Sequence, residues 1–180
     1  GPLQLGASEN ISSLLASPYA YLGTSGWIGQ MLPKFPTVRN PSVFSVHDAI
    51  DPKRCILAAP CTCAGGNVEF LDKVLPQQHT ETSAHAYEGI DAAVASASPG
   101  SNGVLYLPHL SGERCPIQAP DARGAWLGLH AGTTRSDLQR AVFEGVAFQF
   151  RWLLDSLRAA SDDANIHAEG SLVLVGGGAK

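Results

Sequence analysis

Two short glycine runs in this chain contain residues of the kind that bind phosphate. The first is Gly23-Thr24-Ser25-Gly26, where two hydroxyl residues lie between glycines after an apolar, strand-like segment. Backbone N–H groups and hydroxyls can bind phosphate oxygens, and glycine permits close approach and a positive φ. The pattern predicts a phosphate-binding loop at Gly23, Thr24 and Ser25. An ordinary tight turn after a strand has the same composition.

The second run is Gly176-Gly177-Gly178-Ala179, which follows the apolar residues 172–175. Three glycines leave a bare backbone against which a flat or phosphorylated ligand can lie, and a following helix would favour negative charge at its N-terminus. A flexible terminus is the alternative interpretation. Neither run has the spacing of a P-loop or of a dinucleotide-binding fingerprint.

A third candidate is the adjacent pair Glu113-Arg114, in a loop rich in glycine and proline. Arginine binds oxyanions with two parallel hydrogen bonds, so the pair could act as a fixed clamp near a phosphate. A solvated pair of surface charges is the simpler alternative. Long loops inside compact domains are usually functional, which keeps both interpretations open.

The cysteines predict buried free thiols rather than a metal site. Cys61 and Cys63 are close in sequence, but no second pair of ligands at zinc-site spacing accompanies them among the four cysteines and six histidines. The other two cysteines are Cys55 and Cys115. Unpaired cysteines are typical of a reducing compartment, and we expect a cytoplasmic protein.

Composition narrows the class of partner. The chain has 180 residues, a net charge of −4 and no basic block, so we expect no nucleic-acid partner. No apolar run reaches the roughly 18 residues of a membrane span, and no signal peptide is visible, so we expect no membrane association. The charged fraction of 16% is low and indicates large surfaces buried against something else.

The first half of the chain predicts short strands that position the first glycine run. Strand-like segments occur at residues 19–28, 44–47 and 55–59, with turn residues between them. Short connections suggest that the three strands form an antiparallel meander. A short helix after Gly65-Gly66 is predicted to end near Leu75.

The second half predicts two helices and two strands. Thr80 is a predicted helix N-cap, and the apolar residues from Tyr87 to Ala97 keep helical spacing. Residues 104–107 form a predicted strand, 108–133 a long loop, and 172–175 the last strand. The strongest helix begins after Thr134, whose capping-box partner is Asp137, and contains Gly145, where we expect very close packing. This order favours a central sheet covered by helices.

Taken in order, these segments resemble the C-terminal domain of the FGGY carbohydrate kinases, most closely the xylulose kinase branch. The matching stretches are residues 21–28, 107–116, 121–129, 137–147 and 174–180. The resemblance implies a mixed α/β sheet of the ribonuclease-H-like, actin-like ATPase fold. Residues 1–180 would be most of the nucleotide-binding domain, incomplete, with the N-terminal sugar-binding domain absent.

The resemblance also implies ligands and roles. ATP and a small sugar or polyol would be the substrates, with Mg²⁺ held mainly by the ATP phosphates and groups outside this chain. The loop of Gly23, Thr24 and Ser25 would face the β- and γ-phosphates, and Glu113 and Arg114 would order the cleft. The residues expected along the adenosine side are Gly176, Gly177, Gly178 and Ala179. Whether the protein forms a homodimer is left open.

One departure from the family pattern concerns the catalytic base. Family members carry an aspartate shortly before the first glycine run, but residues 1–47 contain none. We therefore expect a fragment of an ATP-dependent sugar kinase that is inactive alone and contributes no catalytic residue itself. The alternative is a non-catalytic nucleotide-binding or interaction module derived from the kinase fold. A Gly-x-x-Asp segment encoded just upstream would favour the enzyme.

Overall fold

A computed structural model describes residues 17–75, 88–160 and 172–179. The predicted N-cap at Thr80 and the predicted helical residue Tyr87 lie outside these ranges. None of the helices in the described ranges combines the length and apolar character that a membrane span needs.

A five-stranded mixed sheet forms the centre of the described chain. In sheet order its strands are β3 (Phe44–His47), β4 (Cys55–Cys61), β2 (Gly26–Leu32), β1 (Tyr19–Leu22) and β7 (Val173–Val175). Neighbouring strands are antiparallel except β1 and β7, which are parallel. The first and last strands of the described residues are therefore side by side.

The single strand predicted at residues 19–28 is two strands of a hairpin. β1 and β2 pair from Tyr19 opposite Gly29 to Leu22 opposite Gly26, and residues 23–25 of the first glycine run form the loop between them. The hydroxyl residues of that loop thus lie at the tip of a hairpin, at the carboxyl end of β1.

The predicted meander is wrong in its strand order, because β4 lies between β2 and β3. β4 pairs with β2 from Gly26 opposite Cys61 to Leu32 opposite Cys55. Six of the seven residues of β4 are buried, which is typical of an interior strand. β3, with Phe44 and Val46 exposed, forms the edge.

Three α-helices in the described ranges accompany the sheet: α1 (Gly66–Val74), α2 (Glu88–Ser96) and α3 (Arg135–Ala159). The capping box predicted for α3 is confirmed. The Thr134 side chain accepts from the Asp137 N–H at 3.2 Å, and the Asp137 carboxylate accepts from the Thr134 N–H at 2.8 Å. Two satisfied N–H groups fix the start of the longest helix.

A small second sheet lies against α3. β5 (Leu105–Leu107) pairs with β6 (Ala125–Leu127), so the predicted loop at 108–133 contains a strand that the sequence did not reveal. The expected close packing at Gly145 is confirmed, because an added Cβ would collide with the carbonyl oxygen of Tyr106 in β5. Only glycine lets α3 approach the β5 backbone this closely.

Two apolar clusters are connected by α3. The C-terminal half of the helix places Phe150, Leu153 and Leu157 against the central sheet. Its N-terminal half places Ala141 and Val142 in a second cluster with residues of α1, α2 and β5. The helix therefore holds the central sheet and the β5–β6 pair in a fixed relation.

Candidate functional site

The structure brings the two glycine runs together. β1 and β7 are parallel neighbours, with Tyr21 opposite Val175, so the loops that follow them leave the same edge of the sheet. Gly176 has a φ of 103°, and an added Cβ would collide with the carbonyl oxygen of Leu22. An added Cβ on Gly178 would lie 3.2 Å from the Leu22 Cβ. Ligands of open α/β sheets commonly bind at such an edge.

In the first loop, glycine serves close packing rather than a positive φ. Neither Gly23 nor Gly26 is among the glycines with positive φ, so that part of the sequence interpretation is corrected. An added Cβ on Gly23 would lie 2.6 Å from the Tyr21 hydroxyl oxygen. One on Gly26 would lie 2.6 Å from Cζ of Phe150. The Gly23 N–H donates to the Ser25 carbonyl at 3.0 Å and closes the turn.

A third segment, residues 61–67, supports the first loop, and we call it the platform. The N–H groups of Ala64 and Gly66 donate to the Thr24 carbonyl at 2.8 and 3.0 Å. The Gly65 N–H donates to the Gly23 carbonyl at 2.8 Å. The carbonyls of Gly23 and Thr24 are thus bonded on the platform side of the loop. The side chains of Thr24 and Ser25 remain exposed.

Two glycines and a buried asparagine shape the platform. An added Cβ on Gly65 would lie 2.7 Å from the Gly23 carbonyl oxygen, and one on Gly66 would lie 2.9 Å from the Cys63 sulfur. The Asn67 amide donates to the carbonyls of Cys63 and Ala64 at 3.2 and 3.1 Å. Its oxygen accepts from the Tyr106 hydroxyl at 3.0 Å. The glycine pair is visible in the sequence, but its packing against the first loop is not.

One acidic side chain lies beside the exposed hydroxyls. The Thr24 hydroxyl donates to the Glu69 carboxylate at 3.3 Å, and Glu69 is in the first turn of α1. Among the described residues, no group of three or more His, Cys, Asp or Glu side chains is arranged to hold a metal ion. Glu69 and Thr24 offer one carboxylate and one hydroxyl group.

Glu113 is buried and belongs to a network below the platform. One carboxylate oxygen accepts from the Thr62 N–H at 3.4 Å and from the Arg114 N–H at 2.9 Å. The other accepts from the Gln149 side-chain amide and lies 3.3 Å from Nδ1 of His109. Glu113 is therefore not one half of a solvated pair.

Arg114 has a different environment from Glu113. Its side chain is exposed, and within the described ranges its guanidinium makes no hydrogen bond or ion pair. The two adjacent residues predicted as a pair thus face opposite ways, one into the network and one into solvent.

The four cysteines are buried and free, as predicted. Burial, followed by the nearby Glu113 carboxylate, raises the pKa of the Cys61 thiol to about 12. The same two causes in the same order raise the pKa of Cys115 to about 11. Both thiols are therefore neutral near pH 7 and serve as apolar packing rather than as nucleophiles.

A surface cavity of about 490 Å³ lies elsewhere, between the C-terminus of α2 and the N-terminus of α3. Its lining includes Ser96, Thr134 and Asp137 but no residue of either glycine loop. The Thr134 and Asp137 side chains are already bonded to each other in the capping box. The candidate site is therefore the loop edge, where the Thr24 and Ser25 side chains are exposed.

Comparison with known proteins identifies the family of the chain. The sequence profile described as "FGGY family of carbohydrate kinases, C-terminal domain" matches residues 19–180. The chain belongs to this family. The predicted fold is confirmed: the chain has a mixed sheet and superposes on FGGY sugar kinases, which have the actin-like ATPase fold.

Three FGGY relatives show the extent of the likeness. The xylulose kinase of Staphylococcus xylosus is 30% identical over 134 residues, which cover 64% of this chain and 26% of that protein. The gluconokinase of Bacillus subtilis (strain 168) is 26% identical over 172 residues, covering 89% and 33%. The xylulose kinase structure from Bifidobacterium adolescentis has a TM-score of 0.73 and 25% identity, covering 97% and 33%. The chain spans about a quarter to a third of each of these relatives.

Proposed function

We propose that this chain is the ATP-binding part of a sugar kinase of the xylulose kinase type. The observation that carries the proposal is the meeting of the two glycine loops at the carboxyl ends of the parallel strands β1 and β7. Membership of the FGGY family supports ATP as the phosphate donor. The names of its relatives support a ketose or a related small sugar or polyol as the acceptor.

In this proposal the first loop binds the β- and γ-phosphates. Thr24 and Ser25 supply exposed hydroxyls and backbone N–H groups, while Gly23 allows the turn to pack closely. The second loop, residues 176–179, lies along the adenosine side and presents backbone only. Donors already fixed by folding need no reorganisation when charge develops on the phosphate, which is how such loops accelerate transfer.

The transfer itself involves groups beyond the described residues. A sugar hydroxyl oxygen attacks the γ-phosphorus, its proton passes to a carboxylate base, and the bond to the β–γ bridging oxygen breaks to release ADP. Mg²⁺, when bound with ATP, neutralises phosphate charge. We place the sugar, the base and most metal ligands in the part of the relatives that this chain does not span. The free buried thiols support a cytoplasmic setting.

Equilibrium binding to the 180-residue chain tests the proposal. We expect ATP to bind more tightly than adenosine, because only ATP reaches the first loop. Thr24→Val should weaken ATP binding about three- to tenfold, the net value of one hydrogen bond of about 1 kcal/mol, and leave adenosine binding unchanged. Isothermal titration calorimetry measures both. We also expect no ATP- and sugar-dependent ADP release from this chain alone.

The matched control is Thr37→Val, at another exposed threonine, which lies between β2 and β3 at the opposite end of β2 from the loop. It should leave both affinities unchanged. If the phosphates of ATP added no affinity, or if Thr24→Val and Thr37→Val behaved alike, the proposed site would be wrong.

A further inference from the structure

Glu113 is a buried carboxylate whose contacts lead to the phosphate-binding loop. Only 3% of the residue is exposed. A buried charge is costly unless hydrogen bonds satisfy it, so its partners are held in place as firmly as it is. Those partners come from three elements: its own loop, the platform, and Gln149 of α3.

One of these contacts connects Glu113 to the first glycine loop. Its carboxylate accepts from the Thr62 N–H in the platform. Thr62 is two residues before Ala64, whose N–H begins the set of three hydrogen bonds to the carbonyls of Gly23 and Thr24. The path from Glu113 to the loop thus consists of one side-chain hydrogen bond and a short piece of backbone.

We propose that Glu113 is a positioning residue for the ATP phosphates, which acts by fixing the platform that supports Gly23 and Thr24. The inference rests on the proposed function, because it assumes that the first loop binds phosphate. Glu113 touches no substrate. Without the hydrogen bond from the Thr62 N–H to Glu113, the platform is no longer held at a fixed distance from α3. The hydrogen-bond donors of the first loop then occupy several positions instead of one.

The contacts of Glu113 also show which change isolates this role. The bonds from Gln149 and the approach of His109 hold Glu113 itself, whereas the bond from Thr62 is the one that reaches the platform. Glu113→Gln keeps an oxygen that can accept from Thr62, and its new amide can donate to the Gln149 oxygen. Glu113→Ala removes every acceptor.

The test compares affinities of the 180-residue chain for ATP and for adenosine, whose ratio measures the contribution of the phosphates. We expect Glu113→Ala to lower this ratio about tenfold, with adenosine affinity changed less than twofold. Glu113→Gln should restore most of the ratio. If Glu113→Ala does not fold by circular dichroism, Glu113→Asp keeps the charge but withdraws it by one methylene, and should lower the ratio about threefold.

The matched control is Glu144→Ala on α3. Glu144 accepts from the Gly100 N–H at 3.0 Å and the Ser101 hydroxyl at 2.8 Å, so its loss removes a similar number of bonds. None of them leads to the platform, and the ratio should not change. If Glu113→Ala left the wild-type ratio intact, or Glu144→Ala lowered it equally, this inference alone would fail. If wild-type ATP bound no better than adenosine, the proposed function would fail with it.

Discussion

The two glycine loops lie at the same edge of the sheet but are held by different means. The first is supported from behind by three backbone hydrogen bonds from the platform. The second is shaped by its own backbone, through the positive φ of Gly176 and its contact with Leu22. One loop therefore depends on a distant segment and a buried carboxylate, and the other on the conformation of a single residue.

The difference indicates how each loop can fail. A loop fixed by conformation is lost when one glycine gains a side chain. A loop fixed by a platform can be loosened from several places, each at a smaller cost in stability. The variants below measure these two kinds of dependence separately.

The largest effect is expected from Gly176→Ala. The substitution combines an unfavourable positive φ with a collision against the Leu22 carbonyl, so we expect the free energy of unfolding to fall by about 3 kcal/mol. Gly103→Ala is the matched control, since Gly103 also has a positive φ, of 82°, but an added Cβ meets nothing within 4 Å. Gly103→Ala should lower the free energy of unfolding, measured by urea denaturation, by about 1 kcal/mol. Equal costs would mean that the contact with Leu22 is unimportant.

A smaller effect is expected from Gly65→Ala in the platform. Its Cβ would lie 2.7 Å from the Gly23 carbonyl oxygen and should break the hydrogen bond beneath it, at a cost of about 2 kcal/mol. ATP affinity should fall with it, while adenosine affinity should not. Gly177→Ala, where nothing lies within 4 Å, is the stability control. Unchanged ATP affinity in folded Gly65→Ala would separate the platform from the site.

Alkaline pH should lower the free energy of unfolding through the buried Cys61 thiol of the platform. The pKa of Cys61 is raised from 9.0 to about 12 in the folded chain, so between these values only the unfolded chain loses this proton. The stabilisation is complete below pH 9 and is lost progressively towards pH 12, by about 1 kcal/mol at pH 10. Urea titrations at pH 8 and pH 10 should show a smaller decrease in Cys61→Ala than in the wild type. An equal decrease in Cys61→Ala and the wild type would mean that another group causes the loss of stability.

The smallest effect is expected from Glu69→Gln. Glu69 is exposed beside Thr24, so its charge should repel the ATP phosphates weakly through solvent. Removing the charge should raise ATP affinity about twofold at low salt and not at all in 1 M salt. Asp91→Asn, an exposed carboxylate of α2, should change neither value. A fall in Mg²⁺–ATP affinity on Glu69→Gln would instead make the carboxylate part of the binding site.

The sequence predicted those parts of the fold that local signals specify. The capping box at Thr134 and Asp137 involves residues three apart, so it is visible without a structure. The place of β4 between β2 and β3 depends on pairing between distant segments, which short connections did not reveal. β6 was missed because three strand residues inside a long loop of glycine and proline give no clear period.

The candidate site also combines features that local sequence reveals with features that depend on distant segments. Both glycine runs were recognised from composition, yet composition could not place them on neighbouring strands or assign the reason for each glycine. The platform was missed because its contacts with the loop are backbone N–H groups and carbonyls, which every residue has. Glu113 stands out in the sequence for its neighbour Arg114, which contributes only its backbone N–H, whereas Thr62 and Gln149 also bond to Glu113 and are far away in sequence.

The pairing of β1 with β7 also sets an order of events during synthesis. Tyr19 and its partner Val173 are separated by about 150 residues, so β1 leaves the ribosome long before β7 exists. The hairpin, the platform and α3 can form from nearer segments. Closing a loop of this length is slow, because its entropic cost is offset only when β1 and β7 pair. At typical rates of 5–20 residues per second, the nascent chain waits roughly ten seconds or more without its second glycine loop. Under the proposed function, nucleotide would bind across both loops only after the last described strand has been made.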